Sequence, residues 1–148
     1  MSWAIEEYVE DAIVKYLNNA LPADMFDVKT AWTTAEIKYP CVVVRAGASQ
    51  NVTEQFTGHR NMVVGVLVMT EAVPNGLLAA RNANRVHRDA VIDALAQTAL
   101  QDDVNALNPD GVAFSLAQMT GMDRSVEPEK RAFTTEITLE VIVSPKEI

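Results

Sequence analysis

Apolar residues recur at Ile5, Tyr8, Val9, Ala12, Ile13, Tyr16 and Leu17. Steps of three and four put these side chains on one side of a helix. Glu7, Glu10, Asp11 and Asn18 fall on the other side, with Val14 the apolar exception. Ser2 is placed to cap the first turn, where Glu6 and Glu7 suit the helix dipole. The helix is expected to stop at Leu21-Pro22, because proline disfavours helical geometry in the residue before it.

From Val28 the period changes. Residues 28–38, with Trp32, several threonines and Ile37, read as a strand that Tyr39-Pro40 ends. Cys41-Val42-Val43-Val44 is β-branched without polar alternation, which predicts a strand buried on both faces. Gly47-Ala48-Ser49 breaks it. Residues 52–57 read as a polar edge strand, followed by a turn at Gly58-His59. The apolar run 62–69 then reads as a central strand, joined to its predecessor in a hairpin.

Pro74-Asn75-Gly76 opens a second long helix over 77–98, with Asn75 as its cap. The stripe Ala79, Ala83, Val86, Ala90, Ala94 and Leu95 is expected to face inward. Asn108-Pro109-Asp110-Gly111 is a turn signal, and Val112, Phe114 and Leu116 alternate as a strand. A charged loop is expected over 123–131. In the last strand Phe133, Thr135, Ile137, Leu139, Val141 and Val143 share one face, while Thr134, Glu136, Thr138 and Glu140 share the other. The order α, several β, α, β, β predicts an α+β fold. It should be one mixed or mainly antiparallel sheet, including 40–46, 62–70, 112–118 and 133–143, with two long helices packed on a face.

Composition narrows the class. With 148 residues, 49% of them hydrophobic and 22% charged, the chain 1–148 is expected to be a single folded domain. A net charge of -8 opposes non-specific binding to a polyanion. Cys41 is the only cysteine, so an intramolecular disulfide is excluded. The start Met-Ser-Trp-Ala-Ile-Glu-Glu does not read as a signal peptide. The apolar runs 62–69 and 40–44 fall well short of the roughly 20 residues a membrane helix needs, so no membrane role is expected.

Catalytic patterns are not evident. His59 and His87 have no ligand partner at helical spacing, and with one cysteine they make no familiar zinc set. Cys41 heads the most apolar strand and reads as a buried, unreactive thiol. His87 reads as a packed core or interface histidine. Gly-x-Ser-x-Gly, P-loop and dinucleotide-binding patterns are missing from the sequence. Asp102-Asp103 and Glu127 with Glu129 read as solvated carboxylates. The sequence therefore predicts no catalytic site, no cofactor and no metal.

Two charged features stand out. Arg81, Arg85 and Arg88 are spaced i, i+4, i+7 and should form one ridge away from the alanine stripe. It is either a solvated face balanced by Asp89 and Asp93 or a contact for an acidic neighbour, since Arg pairs bidentately with carboxylates at interfaces. The loop 123–131 carries Arg124, Glu127, Glu129, Lys130 and Arg131. It is either a plain surface loop or a docking arm between subunits.

The amphipathic first helix, the run Tyr39-Pro40-Cys41-Val42-Val43-Val44-Arg45, the hairpin ending at 62–69, the helix 77–98 and the terminal strand 131–141 together resemble one known family. The chain resembles, over essentially its whole length, the tail terminator (tail completion) proteins of long-tailed bacteriophages, the family of lambda-type minor tail protein U. The resemblance rests on architecture and strand style, and it transfers no individual residue role. It implies a structural virion protein, assembled in the host cytoplasm, that forms a homohexameric ring on the head-proximal end of the tail tube. The ring would end tube polymerisation and offer a surface for head-tail joining. Its implied partners are further copies of itself, the tail tube protein and the head-tail connector or neck protein, with DNA passing through unbound. A neck or head-completion protein of the same virion is the alternative, and a small cytoplasmic binding module is a third.

Overall fold

A computed structural model describes residues 5–22, 26–32, 38–47, 50–51, 59–71, 76–127 and 132–145. Within them the chain runs α1 (Ile5–Ala20), β1 (Asp27–Thr30), β2 (Cys41–Ala46), β3 (Gln50–Asn51), β4 (Arg60–Glu71), α2 (Leu77–Leu95), α3 (Leu100–Ala106), β5 (Val112–Glu127) and β6 (Ala132–Pro145). The fold is α+β with one mixed sheet. Its strand order is β1-β2-β4-β6-β5, and β3 pairs with β4 off that path. β1 lies parallel to β2, and every other described pairing is antiparallel.

Alternation decides which face of the sheet is covered. Val42 and Val44 on β2, Val64, Val66 and Val68 on β4, and Ile137, Leu139, Val141 and Val143 on β6 all point to one side and are buried. Ile5, Val9, Ile13 and Leu17 of α1, Val91 and Leu95 of α2, and Leu100 and Val104 of α3 close over them in one continuous core. Each such side chain contributes about 1.5–3 kcal/mol of hydrophobic stabilisation. Among the described residues a smaller cluster forms on the opposite face, from Cys41, Val43, Met69 and Ala132. Val63 is exposed on that face.

Several expectations need correction. Strand β1 covers only Asp27–Thr30, and Ala31 and Trp32 turn away from it. The remainder of the expected strand 28–38, the edge strand 52–57, Ser2 and Asn75 lie outside the described residues, apart from Lys38, which is not in a strand. Gly76, with φ 89°, occupies the N-cap of α2 without a side-chain cap. The helix α3 was not anticipated. It places Asp102 and Asp103 in a first helical turn, where the dipole favours acids.

The expected loop 123–131 is a strand as far as Glu127. β5 stays paired with β6 from Val112↔Pro145 to Glu127↔Ala132, through register irregularities at Phe114/Leu116 and Met119/Gly121. Charge there marks a sheet edge and not a loop, because edge strands carry charged side chains that discourage further pairing. The long alternation of β6 supplies a register partner for all of β5 but Ser115 and Thr120.

Candidate assembly interface

The inward face of α2 matches the expected stripe only in part: Leu95 is buried and Ala90 and Ala94 pack against the core, but the face is turned toward Ala80, Asn84 and Val91. Ala80, Asn84, Val91 and Leu95 are buried, whereas Ala79 and Val86 are exposed. A polar residue lies at the centre of this face, which is why hydrophobicity misplaces it by about one residue's rotation. Asn84 is 0% exposed. Its amide donates to Val68 O (3.0 Å), Thr70 Oγ1 (3.1 Å) and Phe133 O (3.3 Å), and its carbonyl accepts from Thr135 Oγ1 (2.6 Å). A buried amide satisfied in this way no longer opposes burial.

Rotating the inward face also rotates the arginines. Arg81 and Arg85 are exposed as expected, but Arg88 is half-buried, with its Nε 3.5 Å from Asp89 Oδ1. The three do not form one free ridge. His87, on the other flank of α2, reaches Thr70 of β4 and Phe26 before β1. The arginine flank therefore leans toward β6 and β5.

β5 presents a second basic side chain to that flank. Arg124 is paired with Thr135, and directly opposed residues point to the same face of a sheet. Thr135 hydrogen-bonds Asn84 beneath α2, so Arg124 lies on the helical face at the sheet's edge, where it is exposed. Met122, opposite Ile137, shares that face and is 50% exposed. The structure thus brings Arg81, Arg85, Arg88 and Arg124 to one side of the molecule. Glu127 ends β5, and Glu129, Lys130 and Arg131 lie outside the described residues.

The other edge holds a feature that amphipathicity conceals. Glu10, assigned by spacing to the solvent side of α1, is 2% exposed. Its carboxylate accepts from Trp32 Nε1 at 2.9 and 3.1 Å and from Ala46 N at 2.9 Å. Trp32 is nevertheless 65% exposed. An indole fastened by its N–H leaves its apolar ring held in one orientation toward solvent. Glu7 and Asp11, the neighbours of Glu10 along α1, are exposed. Since α1 packs chiefly on β1 and β2 while α2 packs on β4 and β6, Trp32 lies across the sheet from the arginines.

The groups with chemical potential are occupied in packing. Thr70 Oγ1 lies 3.0 Å from His87 Nδ1, the start of a nucleophile–base pair. Thr70 is buried and its oxygen already accepts from Asn84. Burial lowers the His87 pKa below the ordinary 6.5. Burial, and then the Asp103 carboxylate, raise Tyr16 above 10.0, while its hydroxyl donates to Ala94 O. Cys41 is buried at the head of β2. Among the described residues no group of three or more His, Cys, Asp or Glu could hold a metal ion, and no helix is long and apolar enough to cross a membrane.

The fold is α+β, one mixed sheet with its main core under the helices and a smaller buried cluster on the other face. Compared with models of known protein families and with curated proteins, the chain matches none.

Proposed function

We propose that this chain is a tail terminator subunit of a long-tailed bacteriophage. It forms a ring on the head-proximal end of the tail tube, stops tube growth and presents the surface that joins the head. The observation carrying this reading is the presence of two unlike surfaces on one small chain, arginines on the β5 side of α2 and an exposed tryptophan anchored to Glu10 of α1. Head-to-tail contacts between identical subunits require two different, complementary patches, and they close into a ring when the rotation allows. Net charge -8 suits a wall past which DNA slides, because phosphates are repelled and not captured.

Labelling tests the location. Gold-conjugated antibody against the chain, applied to intact virions, should mark a single band at the head-proximal end of each tail. Label along the whole tail, on the capsid alone or at the distal tip would remove the reading. Label at the joint on heads that lack tails would favour the neck-protein alternative.

A further inference from the structure

We infer that the sheet edge at residues 121–127 takes an added strand, an extended segment of another protein that turns carboxylates toward the arginines of α2. This contact is independent of the ring reading and follows from β5 and α2 alone.

β5 is the last strand of the sheet, and its two halves differ. In the first half Asn105 of α3 accepts from Phe114 N at 2.9 Å and donates to Phe114 O at 2.8 Å, as a neighbouring strand would. Both register irregularities also fall before Gly121, and bulges blunt an edge. From Gly121 to Glu127 the register against β6 is unbroken. Antiparallel residues bond alternately to one neighbour and the other. Phe114 gives its groups to Asn105, so its partner Val143 bonds toward β4, and Ile137 and Thr135 follow along the regular β4–β6 ladder. Their partners Met122 and Arg124 therefore direct backbone groups outward. Arg124 N accordingly donates to the Asp123 side chain, at 2.8 Å from Oδ1.

Charge selects what can pair there. At about 100° per residue, Arg88, Arg81 and Arg85 lie on one side of Asn84 and His87 on the other. His87 meets Thr70 of β4, so the arginines face β5. Met122 and Arg124 lie on that same face of the edge and are exposed. Among the described residues no carboxylate is within ion-pair distance of Arg81, Arg85 or Arg124, and the buried Nε of Arg88 has no hydrogen-bond partner. On the other face Asp123 stands opposite Glu136, both exposed. An entering strand meets cations on one face and anions on the other, which specifies alternating acidic and basic side chains. Its basic side chains would draw Asp123 away from the Arg124 N–H and open that donor for pairing. A phosphodiester chain carries one sign only, and Asp123, Glu136 and the net charge of -8 oppose it. Exposed Met122 adds an apolar contact of the kind enriched at protein interfaces. In such strand addition the backbone bonds supply affinity and alternate side chains supply selectivity.

The probe is a short fluorescein-labelled peptide with glutamate and leucine alternating on one face and lysine on the other. Its affinity for the full chain is read by fluorescence anisotropy at low salt. N-methylation of its peptide nitrogens removes pairing and keeps every charge, so it should weaken binding at least about tenfold. Arg85→Glu with Arg124→Glu should weaken binding of the unmethylated peptide by a similar factor. In amide NMR spectra the signals of Met122 and Arg124 should shift most.

Equal binding of the N-methylated peptide, or shifts confined to residues away from β5, would overturn the inference. Tighter binding of an oligothymidylate than of the peptide would overturn it and make the arginines a nucleic-acid site. Peptide binding that falls as the chain is concentrated would hand the edge to a second copy, also against it. A peptide that does not bind the full chain overturns it as well, while gold labelling of virions still decides the tail reading separately.

Discussion

Four groups on β4 and β6 depend on Asn84 of α2. Asn84→Ala would leave Val68 O, Phe133 O and Thr135 Oγ1 buried and partly unmet. The expected loss is about 2–4 kcal/mol, read as a lower midpoint in urea unfolding. A change below about 0.5 kcal/mol would mean that water takes over those bonds. His87 adds a pH dependence. Its folded pKa lies below 6.5, so between the two values the unfolded chain binds more protons and stability rises with pH. The stabilising contribution of the neutral ring is complete above 6.5 and is lost as pH falls through 6.5 toward the folded value. Melting curves across that window should show a slope that His87→Gln reduces, and an unchanged slope would contradict the assignment.

At the scale of elements, the turn before β5 packs closely against α1. Gly111 has φ 74°, and a Cβ there would stand 2.8 Å from the Tyr8 ring. Gly111→Ala meets both a strained backbone and a clash, so it should cost about 1–3 kcal/mol and lower the thermal midpoint. An unchanged midpoint would show that α1 can shift without loss. Much of this level was legible in the sequence. The core faces of α1 and β6 follow from spacing alone, and the buried run 41–44 follows from its β-branched composition. What spacing concealed has a common cause. Glu10 and Asn84 are polar residues buried with their partners in place, and those partners, Trp32, Ala46, Thr70 and Thr135, are distant in sequence. Likewise, Arg124 reads as loop until β6 is known to pair with it. The arginines of α2 and β5 could be nominated from the sequence. Their position on one flank could not, because it depends on which way Asn84 turns the helix.

Across the whole molecule, the exposed arginines of α2 are expected to be dispensable for folding and needed for assembly. Exposed ion pairs contribute only about 0–1 kcal/mol. Arg81→Glu with Arg85→Glu should therefore unfold like the parent chain, yet fail to restore infectious titre to a virus lacking the protein. Full titre would remove this flank from the mechanism. The central claim concerns where tube growth stops, and tail length reports it most directly. In micrographs of a virus unable to make this chain, a terminator predicts overlong tails of uneven length without heads, because nothing caps the tube. Tails of normal, uniform length beside unjoined heads would contradict the claim and assign the chain to the neck.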